Sequence, residues 1–114
     1  MSRRTRSALP KPRAYAPLFA ALGDETRLAI VTRLASGEPH SIAQLTAETK
    51  LTRQAVTKHL RVLEGARLVR SVRSGRESLF ELDPAPIRAV RDYAEVVSQQ
   101  WDDALARLKA FVEK

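Results

Sequence analysis

Apolar positions recur at helical spacing in five stretches of this chain and at strand spacing in two. Leu18, Phe19 and Leu22 mark a short amphipathic helix over residues 15–22, stopped by Gly23. Asp24 suits an N-cap, with Glu25 in the first turn behind it. Leu28, Val31 and Leu34 then carry a second helix to Ser36-Gly37, with Pro39 just beyond. Ser41-Ile-Ala-Gln44 has the form of a capping box and predicts a third helix from about 42 to 49. Lys50-Leu51 leaves only a tight connection before Thr52, which caps a fourth. Two short helices joined by about three residues form a helix-turn-helix.

The fourth helix, 52–64, has two unlike faces. At about 100° per residue, Val56, Leu60 and Leu63 fall into one apolar stripe, while Gln54, Thr57, Lys58 and Arg61 cluster opposite it. That second face holds an amide, a hydroxyl and two cations, with no acid among them. A solvated helix face usually mixes both signs of charge. This one suits an anion that also presents base edges, and therefore nucleic acid.

Residues 68–73 and 78–83 are short, partly alternating segments separated by Ser74-Gly75-Arg76-Glu77, which predicts a β-hairpin. A basic hairpin directly after a helix-turn-helix reads as a wing with Arg73 and Arg76 near its tip; the plainer reading is a hairpin that only covers the core. From Pro84 onward the pattern becomes regular. Ile87, Ala94, Trp101 and Leu108 are seven apart, as are Val90, Val97, Ala104 and Phe111, giving an apolar a/d seam over four heptads. Pro84 and Pro86 suit its first turn. A seam this long exceeds what one small subunit covers, so the last helix is expected to pair with its own copy, Trp101 being its largest anchor. The expected fold is mainly α with a small β-hairpin, a winged helix-turn-helix in the order α-α-α-α-β-β-α. Its parts are a disordered basic arm at 1–14, the winged DNA-binding unit at 15–83, and a dimerisation helix at 84–114 within the same domain.

Charge sharpens this picture. The 114 residues carry a net +7, but unevenly. Residues 1–13 hold five cations and no acid, residues 50–76 hold eight cations against Glu64, and the remainder is net −5. Basicity thus belongs to a tail and to the block containing the fourth helix and the hairpin, which favours a polyanionic partner. The tail either solubilises or adds phosphate or minor-groove contacts. The chain has no cysteine, hence no disulfide, thiolate metal site or cysteine nucleophile. No apolar run approaches the roughly 20 residues of a membrane span, and no h-region follows the basic N-terminus. A cytoplasmic protein without membrane association is expected.

The order of elements, together with particular residues, resembles the ArsR-type family of bacterial winged helix-turn-helix transcriptional repressors. The similar segments are Leu22-Gly-Asp-Glu-Thr-Arg-Leu-Ala-Ile30, Ile42-Ala-Gln-Leu45 and Gln54-Ala-Val-Thr-Lys-His-Leu-Arg-Val-Leu63. Leu68-Val69, Gly75-Arg76 and Leu79-Phe-Glu-Leu-Asp83 complete the set. The resemblance implies a homodimer held by the first and last helices, through Leu18, Leu22, Val90, Val97, Trp101 and Leu108. It also implies recognition helices in successive major grooves of double-stranded DNA, an inverted-repeat operator and wings over flanking phosphates. Two departures stand out. Many members place Gly after the recognition helix where this chain has Arg67, and Gly65 lies two residues earlier; Arg in a left-handed conformation costs on the order of 1 kcal/mol, so a displaced turn is one outcome the sequence allows. Metal-responsive members carry two cysteines at the start of the third helix, and Ser41 and Ala43 stand there instead. Asp92, Glu95, Asp102 and Asp103 on the last helix lack an imidazole or thiolate partner and read as a solvated face. No metal or cofactor is expected.

Candidate roles follow from side-chain chemistry. Gln54 can pair with adenine and the Thr57 methyl can meet a thymine methyl. Lys58 and Arg61 suit phosphates better than guanine, and Arg53 lies at the margin of the face. Thr52 and Ser41, at helix N-termini, offer hydroxyls and backbone N–H groups to phosphate oxygens. His59 lies about 60° from the centre of the apolar stripe, which favours a half-buried packing role; the family resemblance keeps a phosphate contact open. No catalytic residue is expected: Ser41 beside His40 is a cap, and no Gly-rich phosphate loop occurs. The rival to a DNA-binding regulator is an interaction module that pairs through its last helix, with the basic block serving solubility. RNA binding is a weaker third option for want of surface aromatics. An inducer, if there is one, could be an organic molecule, a partner protein or the protein's own concentration.

Overall fold

The computed structural model describes residues 11–113; most of the expected basic arm lies outside them. Its last residues do not belong to an arm. Helix α1 spans Pro12–Leu22, beginning three residues earlier than the apolar pattern suggests. Proline at the first helical position lacks an N–H that would have no partner there, and its fixed φ favours the helix. Helix α2 spans Glu25–Leu34 and is capped by Asp24, whose carboxylate accepts the Arg27 N–H at 3.0 Å.

A two-residue strand, β1 (His40–Ser41), then pairs antiparallel with the hairpin, His40 opposite Phe80 and Ser41 opposite Leu79. The expected order had no strand here, and the observed one is α-α-β-α-α-β-β-α. Two residues are too few to show alternation, so only the tertiary pairing reveals this strand. Helix α3 spans Ile42–Thr49 behind the full capping box, and Lys50 ends it in a left-handed conformation.

Helix α4, Arg53–Gly65, is capped by the Thr52 hydroxyl, which accepts the Ala55 N–H at 3.0 Å. Its far end settles the question of the missing glycine. Gly65 is the last helical residue, and Arg67 itself takes the left-handed turn at φ 63. The N–H of Arg67 donates to the Glu64 carbonyl and that of Leu68 to the Leu63 carbonyl, both at 2.9 Å. This is a Schellman closure, with Leu63 and Leu68 fully buried as its apolar clasp. The turn is not displaced. Its hydrogen bonds and the buried leucine pair outweigh the left-handed strain on one arginine.

Strands β2 (Val69–Ser74) and β3 (Glu77–Leu82) form the hairpin around Gly75-Arg76, and the sheet order is β1-β3-β2. Gly75 stands at φ 63 in the first central position, where a two-residue II′ turn requires it. Ile30, Leu34, Leu45, Val56, Leu60, Leu63 and Leu68 are fully buried, so the core lies where α2, α3 and α4 meet the base of the sheet.

Helix α5 runs from Pro84 to Glu113, 30 residues and so roughly 45 Å at 1.5 Å per residue. α1 lies against its first half, Tyr93 meeting Tyr15 in a tilted pair with ring centres 4.9 Å apart and Phe19 edge-on at 5.3 Å. No residue of α5 is buried. The second half projects, drawing the molecule out to 65 Å against 32 and 23 Å in the other directions.

Candidate nucleic-acid interface

Packing of Val56, Leu60 and Leu63 into the core fixes the rotation of α4 and turns its other side outward. Arg53, Gln54, Thr57, Lys58 and Arg61 together line one shallow, open groove along that side. All but Thr57 are exposed. Among the described residues, no carboxylate lies within 4.0 Å of Arg53, Lys58 or Arg61. Thr57 donates its hydroxyl to the Arg53 carbonyl at 2.9 Å, which commits its proton to the helix and leaves the methyl as the group suited to an apolar contact. Thr52 is exposed, and its oxygen serves the cap while the hydroxyl proton stays available.

The wing separates its arginines by job. Arg70 is tied to Glu81 at 2.8 Å, and this hydrogen bond and charge raise its already high pKa. Arg73, on β2, and Arg76, in the turn, are exposed, and among the described residues neither meets a carboxylate. Their positions agree with the hairpin expected for a wing.

Ser41, an expected contact residue, and His59, whose wheel position favours packing, both lie away from the groove. Ser41 is only 7% exposed; its hydroxyl accepts the Gln44 N–H at 3.1 Å, and its own N–H donates to the Gln44 side chain at 2.8 Å. The capping box and the pairing with β3 withdraw it from the surface, so it supports α3 and does not offer its hydroxyl to a phosphate. His59 faces α2, away from the cationic groove, with 22% of its side chain exposed. Its Nδ1 stands 3.3 Å from the Arg27 guanidinium and 3.9 Å from the Asp24 carboxylate. The shorter contact is the hydrogen bond, and since arginine can only donate, His59 Nδ1 is its acceptor.

Arg27 is a residue that periodicity does not single out. Besides His59 it reaches the carbonyl ends of α1, its Nε donating to Ala21 at 2.6 Å and an Nη to Ala20 at 3.4 Å. The Asp24–Arg27–His59 group thereby joins the end of α1, the start of α2 and the middle of α4. The Arg27 backbone N–H, chiefly, and then the Arg27 guanidinium charge hold the Asp24 carboxyl below the usual range against partial burial. The available signal was the spacing of Arg27, three residues after the cap.

The expected dimer residues divide by position. Leu18 and Leu22 are half-buried against their own core, and Val90 is half-buried on α5. Val97, Trp101 and Leu108 are exposed, at 47%, 67% and 57%. Leu105, Phe111 and Val112 extend the same uncovered apolar surface. Among the described residues, no three His, Asp or Glu side chains are grouped to hold a metal, and no helix is long and apolar enough to cross a membrane.

Comparison with known proteins matches residues 22–72 to the model of a helix-turn-helix domain. The HTH-type transcriptional regulator Rv2034 of Mycobacterium tuberculosis is 37% identical, over 75% of this chain and 90% of that protein. The solved ArsR-like transcriptional regulator from Rhodococcus sp. RHA1 superposes with a TM-score of 0.78 at 35% identity, covering 90% of this chain and 93% of that one. The homodimeric winged helix-turn-helix DNA-binding domain of Mb0332 from Mycobacterium bovis shares the fold at 20% identity and a TM-score of 0.63, over 77% of this chain and 81% of that one. The similarity extends over nine-tenths of the Mycobacterium and Rhodococcus regulators, and this chain belongs to the ArsR family of winged helix-turn-helix transcriptional regulators.

Proposed function

We propose that two copies of this regulator bind an inverted-repeat DNA operator and repress transcription from it. The observation that carries the reading is the acid-free groove of Arg53, Gln54, Thr57, Lys58 and Arg61 on a helix whose opposite face is locked into the core. Gln54 and the Thr57 methyl read base edges; Arg53, Lys58 and Arg61 hold phosphates, with Thr52 adding a hydroxyl at the helix start. Arg73 and Arg76 take flanking phosphates from the wing. His59 and Ser41 act one layer back, the first bracing α4 against α2 and the second fixing the start of α3.

The dimer follows from the uncovered surface Val97, Trp101, Leu105, Leu108 and Phe111, which a monomer would leave in water. Pairing it with the same surface of a second copy is the simplest closed arrangement, in which one patch covers itself across a two-fold axis. A DNA partner of this kind places the protein's work in the cytoplasm.

Sedimentation, alone and with a DNA fragment from upstream of its own gene, tests both parts. A dimer that binds the fragment as two chains per site is expected. A monomer at micromolar concentration would remove the dimer. A dimer with no affinity for any fragment would favour the rival reading, a module that pairs through α5 and uses its basic block only for solubility.

A further inference from the structure

A second concavity, of about 400 Å³, lies away from the cationic groove, among the end of α2, the base of the wing and the first turn of α5. Its volume falls within the roughly 300–1,000 Å³ usual for small-molecule sites. Leu34, Leu82 and Ile87 form an apolar floor, and Arg70, Glu81 and Arg88 stand among them as its charged groups. Glu81 is already held by Arg70 at 2.8 Å. Asp83, next along the chain, accepts the Ala85 N–H at 3.1 Å and does not line the space. Arg88 is exposed, and among the described residues no carboxylate lies within 4.0 Å of it.

An apolar floor beside one neutralised ion pair and one uncommitted guanidinium has a definite complement. We infer that this groove binds a small organic monoanion, an apolar body carrying a single carboxylate that Arg88 receives in a charge-assisted, two-point contact. A neutral apolar molecule would leave Arg88 unused, and the second charge of a dianion would meet no further uncommitted cation in the lining. The groove also lies before the surface assigned to the dimer, which begins at Val97, nine residues beyond Arg88 and roughly 14 Å along the helix. Because its walls come from the wing and from α5 at once, an occupant bridges the two elements. Occupancy itself does not rest on the repressor reading; only an effect on operator affinity would.

Benzoate is a suitable probe, with benzamide as its neutral counterpart, in ¹H–¹⁵N titrations of the full-length protein up to about 10 mM, well past the roughly millimolar affinity of so small a ligand. Saturable benzoate shifts at the amides of Leu34, Leu82 and Ile87 are expected. Benzamide should bind about tenfold more weakly, and Arg88→Gln should weaken benzoate about tenfold without altering benzamide, the scale of one charge-assisted hydrogen bond. Arg88 is exposed, so the variant keeps its fold, which its unperturbed remaining spectrum would show. The inference is overturned by the absence of saturable shifts, by equal binding of the two probes, by shifts confined to Arg53–Arg61, or by an Arg88→Gln variant that binds benzoate as before.

Discussion

Gln54 and Lys58 are one helical turn apart in the same groove of α4, yet their chemistry sets them different tasks. An amide can discriminate one base from another, whereas an ammonium meets any phosphate. Gln54→Ala should therefore cost about 1–3 kcal/mol at one operator position and relax preference there. Lys58→Ala should weaken all sequences alike and reduce the slope of log K against log salt by about one. Titrations of both variants on matched and mutated duplexes, across a salt series, check the pair; identical profiles would show that the roles are misassigned. Asp24 gives a prediction of another kind. Its carboxyl titrates below the usual value in the folded chain, so its contribution to stability is present above the unfolded pKa of about 3.9 and is lost as pH falls through the lower folded value. Below about pH 4 the urea midpoint should drop more steeply in the wild type than in Asp24→Asn, which keeps a capping oxygen but cannot titrate; parallel pH profiles would contradict this. At this scale the cationic face was legible, because every member projects from one regular helix. Ser41 and His59 were half legible: the wheel moved His59 off the face, but only packing shows that it meets Arg27, thirty-two residues earlier in the chain. The burial of Ser41 depends on a strand too short to announce itself.

The elements were legible where chemistry is local. Asp24, Ser41-Gln44 and Thr52 cap their helices as their side chains suggest, and Gly75 makes the hairpin turn. They were less legible where local preference and tertiary packing disagree, and Arg67 is the clearest case. A bulky residue takes the left-handed turn because Leu63 and Leu68 must meet in the core just beyond it. Arg67→Gly should relieve the strain and stabilise the domain, net of the extra chain entropy of glycine, by about 0.5–1 kcal/mol. Equilibrium urea unfolding measures it, and a destabilised Arg67→Gly would mean that the arginine side chain contributes an interaction larger than the strain. The start of α1 is a milder case, since Pro12 stands within a basic, proline-containing run and yet opens a helix.

For the whole molecule, the heptad seam of α5 foretold an unburied helix, and the structure leaves its far half uncovered. Sequence could not say where own-core packing stops. Leu18 and Leu22 serve the subunit's interior, Tyr93 holds α1, and the uncovered surface runs from Val97 onward. Trp101→Ala should therefore spare the fold, because the residue is 67% exposed within one chain, while weakening the proposed dimer by about 2–4 kcal/mol. Circular dichroism with sedimentation equilibrium separates the two effects, and an unchanged dimer would place the interface elsewhere. Doubling the recognition helix is what turns a short base-reading surface into an operator-length one. Selection of bound duplexes from a random DNA library tests this most directly. Two inverted half-sites with centres about 10–10.5 base pairs apart are expected; enrichment of one unrepeated motif, or of none, would contradict it.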